Sequence, residues 1–429
     1  MNPALPALSW FWQAWLAAIV FVFPIPHTIA LRNLLLLVGL AALLATWRGA
    51  ARPRLPPLLK PAAWALAATT AWLVLHSLAV APAPTLALDN LRGDWIVPLL
   101  TAALAAWAAT QLPRERAAQA VTLALAAHMA WLLGWQLHLW LVSGAWPFKA
   151  TPFAAYDYQG TLNSFFFSLL VADRLAWLLD KNSPLALGQR FGWTLLLLSL
   201  VSDLALQSRN STAITVLLLL AASLALLRPS SRRWRVVAIV TGMFVMVGSG
   251  SLSFDSRWQG LRESATVGWS SPSLHWQTND AATRPVTPSG ASLEESAYLR
   301  AAWARQALLA IAEHPLGLGF GRDAFGRAIE MKYGYKGMVS SHSGWLDFAL
   351  AAGLPGLGLL LLTAALAIRG GWRQFRERGD AAGLMFAFLV GGYLLRCLLD
   401  GHMSGWRLGL FAFLCGVLIA AMKPAPPKS

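Results

Sequence analysis

Ser208-Arg209-Asn210-Ser211 is a four-residue turn between two apolar runs, and His342 stands among Ser341, Ser343 and Gly344 just ahead of another. An arginine in so tight a turn at a membrane edge is costly unless an anion meets it, and its rigid fork suits phosphate oxygens better than a lysine does. A histidine with small neighbours keeps its ring accessible. It titrates near neutrality, so it can serve as a general base or hydrogen-bond an anion. Arg300 and Arg305 share one expected helix, but about one and a half turns apart, so they face different ways. Arg322 lies on the polar side of a second, amphipathic helix. Asp400 ends an apolar run near where His342 should emerge, and Arg396, four residues before it, can pair with it. Asp173-Arg174 and Asp203 also lie inside apolar runs and must face protein or water. The remaining histidines (His27, His76, His128, His138, His275, His314, His402) are at span interiors, helix ends or the polar loop, where packing accounts for them. No Asp, Glu or His cluster has metal-ligand spacing and no Asp-x-Asp pair is present on this side. The expectation is a site with no metal and no cofactor, in which arginines neutralise a departing phosphate.

The elements that must position these residues are membrane helices. Of 429 residues, 57% are hydrophobic and 12% charged, about half the charge of an ordinary soluble domain. Runs of Leu and Ala long enough to cross the hydrocarbon core recur throughout, and the ten-residue alternation of a β-barrel is absent. Twelve spans are expected, at about 8–24, 30–47, 61–81, 94–112, 117–142, 159–179, 191–207, 210–227, 236–252, 345–368, 381–399 and 404–422. The chain therefore divides into spans one to nine (1–252), a large loop (253–344), and spans ten to twelve with a short tail (345–429). The first apolar run has no basic residue before Arg32 and reads as a retained span rather than a cleaved signal. Cys397 and Cys415 lie in apolar runs and suggest neither a disulfide nor a metal site.

Basic residues choose the orientation. Eighteen cations fall in one set of loops and at the C-terminal tail, from Arg48 to Lys428, against Arg32, Arg92, Lys149 and Arg209 in the short loops opposite. The first set, with both termini, is expected to be cytoplasmic. The net charge of +15 thus records topology and attraction to anionic headgroups, and nucleic acid is not an expected partner. In the large loop, Ser253–Gly290 has no helical period and reads as loop. A helix is expected from Leu293, with Ser292 as N-cap and Glu294 and Glu295 complementing the dipole, ending at His314-Pro315. Leu316–Gly321 is a glycine-rich turn without the Lys-Ser/Thr ending of a phosphate loop, so a corner between helices is its expected use. Arg322–Tyr333 is expected to form the second helix.

The C-terminal half, about 200–400, resembles the O-antigen ligase/polymerase superfamily of bacterial envelope-glycan enzymes. Ser208-Arg209 is similar to its Ser-Arg motif. Arg300-Ala-Ala-Trp303 through His314-Pro-Leu-Gly-Leu-Gly-Phe-Gly321 resembles its Arg-x-x-x-Trp and Pro-x-Gly-x-Gly pattern. Ser341-His342-Ser343 with Leu346, then Ala352-Gly353-Leu354-Pro355-Gly356, resembles its His-Asn-x-x-Leu and Gly-Leu-Gly pattern. Ser343 stands where the family commonly has asparagine. The first 200 residues match only as a set of spans.

This resemblance, strongest to the ligases of lipopolysaccharide assembly, implies an all-α, GT-C-like multi-pass glycosyltransferase of the bacterial inner membrane. It would transfer a glycan from undecaprenyl pyrophosphate to the lipid A–core oligosaccharide on the periplasmic face, by a metal-independent inverting mechanism. His342, Arg300 and Arg209 are the expected catalytic residues, and Arg305, Arg322, Asp400 and Ser343 the expected substrate contacts. The partners are the carrier-linked glycan, the lipid A–core acceptor and membrane lipids. A glycan polymerase, a protein O-oligosaccharyltransferase and a lipid-linked sugar transporter are the alternatives. The absence of a clear internal repeat and the clustering of suggestive residues at one surface favour chemistry over transport.

Overall fold

The computed structural model describes residues 4–46, 51–152, 156–225, 260–270, 275–278, 285–290, 293–401 and 403–423, with 241, 242, 245 and 249 between them. Among these the regular structure is helical throughout. The helices of the first half are α1 (Ala4–Val22), α2 (Ile29–Thr46), α3 (Lys60–Ala79), α4 (Pro84–Leu91), α5 (Val97–Thr110), α6 (Arg114–Ser143), α7 (Tyr156–Leu178), α8 (Gln189–Leu206) and α9 (Arg209–Ala225). The loop carries α10 (Leu261–Ser270), α11 (His275–Thr278), α12 (Glu295–Glu313) and α13 (Ala324–Tyr333), and the chain closes with α14 (Gly344–Arg378), α15 (Ala381–Leu399) and α16 (Gly405–Ala421). Six of the described helices are long and apolar enough to cross a membrane, and Ser9–Val22, Arg209–Ser223 and Gly405–Ala421 are shorter apolar ones. Outward-facing Leu37, Leu100, Leu141 and Val142 are more than half exposed, which suits lipid and not water. The protein is a helical membrane protein. Most of the run expected as the ninth span, 236–252, lies outside the described residues.

α7 explains why composition alone undercounts such helices. It carries Gln159, Thr161, Asn163, Ser164, Ser168, Asp173 and Arg174, all buried. It is enclosed by α6, α8, α9 and α15, so its polar groups meet protein: Asn163 exchanges hydrogen bonds with Ser199 and its carbonyl, and Arg174 binds Asp173 across 2.5 Å.

The expected tenth span is two helices. Gly353 has φ 75° and ψ 170° inside α14, a conformation in which a side chain would be strained, and Pro355 then sits in the first turn of the second piece, where its missing N–H is harmless. The break frees backbone groups, and the glycine-rich turn fills them. Leu354 N donates to Pro315 O at 2.9 Å and Leu318 N to Leu350 O at 2.7 Å. A Cβ on Gly317 would come within 2.5 Å of Gly353 N, so the two motifs meet backbone to backbone. From α3, Trp72 donates to Ala352 O and His76 Nε2 bonds to Leu316 O. The short piece, 344–352, is thereby fixed directly behind His342.

Ser253–Gly290, expected as loop, contains α10. It is ten residues long and amphipathic, and the one-turn α11 follows it in the same stretch. α10 holds by contact: a Cβ on Gly268 would lie 2.1 Å from Tyr298 O, so only a glycine lets it press onto α12. Ser292, the expected N-cap of α12, lies outside the described residues. The cap is Glu294, whose carboxylate accepts from Ala297 N. His314 ends the helix as its C-cap.

Candidate functional site

Four chain segments meet at one end of the helices: the α8–α9 turn, the start and first turns of α12, the turn 340–343, and the end of α15. The α8–α9 turn is sharp because Gln207 takes a left-handed φ of 45°. Ser211 anchors it, donating to Gly160 O and to Ser208 Oγ. Arg209 then projects to α12, where Nη2 donates to Glu294 Oε1 at 2.7 Å and to Ser296 Oγ at 3.0 Å. Its neighbour Asn210 accepts from Arg300 Nη1 at 2.8 Å and donates to Leu399 O at 3.3 Å. One asparagine thus ties the arginine of α12 to the residue preceding Asp400.

His342 is held by a serine-rich turn built on a carboxylate. Asp347, buried in the first turns of α14, accepts from Ser340 Oγ at 2.7 Å and from Ser341 N at 2.9 Å. Ser340 Oγ in turn accepts from His342 N, and the wrap drives His342 to φ 58°. A histidine with positive φ is uncommon and marks a position that its surroundings impose. The ring stacks on Trp303 with centroids 4.9 Å apart and planes 15° apart. Trp303 is three residues beyond Arg300, so both lie on one face of α12. On the other side His342 Nδ1 is 3.6 Å from Asp400 Oδ1, with the histidine side chain 44% exposed and the aspartate 14%. Asp400 is itself fixed: its carbonyl accepts from Gly344 N and its Oδ1 from Gly401 N. Nδ1 therefore faces a carboxylate, which is what leaves Nε2 as the nitrogen for an outside group.

The expected site residues separate into two sets. Arg209, Arg300, His342 and Asp400 come together. Arg305 is on α12, about 140° around the helix from Arg300. Arg322 is exposed and borders a cavity of about 220 Å³ with Ser340, Asp347, Gly401 and Arg407. Ser343 is buried at the N-cap position of α14 without making a cap, and its Oγ has no partner among the described residues. Sequence reasoning did not single out Asn210, Glu294 or Trp303 as parts of the site. Each had a signal: Asn210 adjoins Arg209, Trp303 follows Arg300 by three, and Glu294 opens the helix that carries both. Among the described residues no three His, Cys, Asp or Glu side chains are grouped to hold a metal ion.

Arg396 has a different surrounding. It is fully buried, and its guanidinium donates to Thr161 Oγ1, Ser164 Oγ, Ser211 Oγ and the carbonyls of Asp157 and Gly160. It binds α15 to α7 and to the α8–α9 turn, and so sets the position of both Asp400 and Arg209.

Residues 194–361 match the family model described as O-Antigen ligase. Over that segment the chain is similar to the O-antigen ligase family. The matched segment runs from α8 through the loop helices into α14, and so contains Arg209, Arg300 and His342, while Asp400 follows it. A search of curated proteins finds no match. The glycine-rich turn, the α14 break and the serine-rich turn are consecutive parts of one support for the histidine.

Proposed function

We propose that this protein is an O-antigen ligase: a GT-C-like glycosyltransferase of the bacterial inner membrane that moves a glycan from undecaprenyl pyrophosphate to the lipid A–core oligosaccharide. In this reading twelve spans place both termini in the cytoplasm, and the loop 253–344, between spans one to nine (1–252) and ten to twelve (345–429), covers a periplasmic site. The observation that carries the proposal is the convergence of Arg209 and Arg300 with a histidine whose Nδ1 faces a carboxylate, at the end of the apolar helix Arg209–Ser223. A carrier lipid keeps its tail in the bilayer and its pyrophosphate at headgroup depth, which is where such a helix end lies.

The chemistry is metal-independent and inverting. His342 Nε2 takes the proton of the acceptor hydroxyl as its oxygen attacks the anomeric carbon of the glycan. The bond from that carbon to the pyrophosphate oxygen breaks on the opposite face, and undecaprenyl pyrophosphate departs with the electron pair. Arg209 and Arg300 hold the pyrophosphate and stabilise the charge that grows on it, the largest single contribution in many group transfers. Asp400 keeps the imidazole oriented and stabilises the imidazolium. Trp303 fixes the ring plane. Arg305 and Arg322 would contact the sugars or the carrier outside this centre; Ser343, expected as a substrate contact, has its hydroxyl buried and instead holds the turn through its backbone bonds to Ser341.

The test is complementation of a ligase-deficient cell with His342→Ala, Arg209→Ala and Arg300→Ala. At normal abundance each should fail to restore the lipopolysaccharide ladder; a restored ladder removes these residues from the site. Reconstitution with carrier-linked glycan and a choice of acceptors distinguishes the outcomes. Product on lipid A–core marks a ligase, a lengthened carrier-linked chain a polymerase, glycosylated protein an O-oligosaccharyltransferase, and movement of substrate without product a transporter.

A further inference from the structure

Glu294 has two oxygens with two separate tasks. Oε2 accepts from Ala297 N at 2.7 Å and caps α12, while Oε1 accepts from Arg209 Nη2 at 2.7 Å. Its backbone N donates to Ser264 Oγ on α10 at 2.8 Å, so the residue is pinned from a third direction. Capping alone does not call for glutamate, since Asn, Asp and Ser are the better N-caps. What the longer side chain adds is reach to Arg209. The ion pair is well covered, with Arg209 12% and Glu294 13% exposed. It therefore lies where a carboxylate and a guanidinium attract more strongly than they do in open solvent.

The location gives this contact a use. Arg209 begins an apolar helix, and an arginine at that depth faces anionic phospholipid headgroups, each a phosphodiester with one negative charge, in large excess over any carrier-linked substrate. A bare arginine there would be held by the commonest anion. An arginine already paired with a carboxylate gives it up only to a ligand that carries more than one charge and several oxygens, as a pyrophosphate does. Because the cap uses the other oxygen, Oε1 can be released without uncapping the helix that carries Arg300 and Trp303.

We infer that Glu294 is a tethered counter-ion that competes for Arg209, admitting a pyrophosphate and excluding phosphodiester headgroups. The inference rests on the proposed role of Arg209 as a pyrophosphate ligand. Glu294 is a specificity-determining residue, and it need not touch the reacting atoms. In the unliganded protein it satisfies Arg209; with the donor bound its Oε1 is displaced. The same competition assists departure of the product, which is the carrier pyrophosphate itself.

The experiment measures binding of undecaprenyl pyrophosphate to the full chain in lipid nanodiscs, either wholly zwitterionic or with half the lipid replaced by phosphatidylglycerol. The variants are Glu294→Gln, Glu294→Asn and Arg209→Ala. Glu294→Asn removes the charge while supplying a preferred N-cap, so helix α12 stays capped if glutamine fails to do so. In zwitterionic discs both neutral variants should bind the probe more tightly than wild type, by roughly five- to tenfold, the scale of one partly covered ion pair. In phosphatidylglycerol that advantage should vanish and their affinity fall by roughly tenfold, while wild type changes less than about twofold. Wild-type behaviour of both neutral variants in both discs overturns the inference, as does weaker zwitterionic binding by Glu294→Asn at an unchanged Tm, which would make the contact merely structural. If Arg209→Ala binds the probe as wild type does, the assignment of Arg209 to the donor fails instead.

Discussion

Arg396 and Arg300 are both near the same turn, yet the protein treats them differently. Arg396 is fully buried, and serine, threonine and backbone oxygens from two helices, α7 and α9, fill its fork. Arg300 is partly exposed and makes one hydrogen bond among the described residues, to Asn210. A guanidinium has five N–H donors. When protein oxygens take them, the arginine is a clamp between helices; when most stay open toward a surface that holds a histidine and a second arginine, it is arranged for an outside anion. Charge in a membrane protein becomes informative once its partners are counted, since both types must be satisfied somewhere.

That contrast can be broken at several points. The largest expected effect is on transfer by His342→Ala, which should lose about 10²- to 10⁴-fold in rate, the usual share of a general base, with unchanged Tm; a loss of folded protein instead would put His342 with the clamps. Arg396→Ala should act on stability, leaving several buried oxygens unpaired at about 3–5 kcal/mol, the scale of breaking a buried polar cluster by removing one partner. Thermal unfolding in detergent reads this out, and a well-folded but inactive Arg396→Ala protein would move Arg396 into the site. Arg300→Lys keeps the charge but loses the planar fork, and should cost about tenfold in kcat/KM for the carrier-linked donor, with Tm unchanged. The smallest effect is expected for Trp303→Phe. It keeps a ring against His342 and should lower the rate only a few-fold, whereas Trp303→Leu should lower it by about tenfold through loss of stacking and ring orientation; equal rates for the two variants would remove the stack from the account.

Much of this was legible in the residues. Long apolar runs give the class of fold; Arg209, His342 and Asp400 stand out because charged or titratable groups at span ends need a reason, and Arg300 stands out as an arginine on the loop helix within the motif the resemblance rests on. Other features depend on contacts that pattern cannot carry. α10 is only ten residues long, and its seat on α12 depends on Gly268 admitting the Tyr298 carbonyl. The tenth run looks continuous, but Gly353 divides it so that the glycine-rich turn can dock. Ala352-Gly-Leu-Pro-Gly356 announces that break only once its partner, Leu316–Gly321, is known to lie against it. Glu294 was visible as a first-turn carboxylate, yet its second oxygen's partner is 85 residues away.

The central claim is that His342, Arg209 and Arg300 form one site for transfer from a lipid pyrophosphate to an acceptor hydroxyl. Its most direct test is the initial rate of glycan transfer by the purified full chain in proteoliposomes holding carrier-linked glycan and lipid A–core. The account predicts glycosylated lipid A–core from wild type and none above background from His342→Ala at equal Tm and equal donor binding. Wild-type transfer by His342→Ala, or no transfer by wild type while the carrier-linked glycan crosses the bilayer, would contradict it.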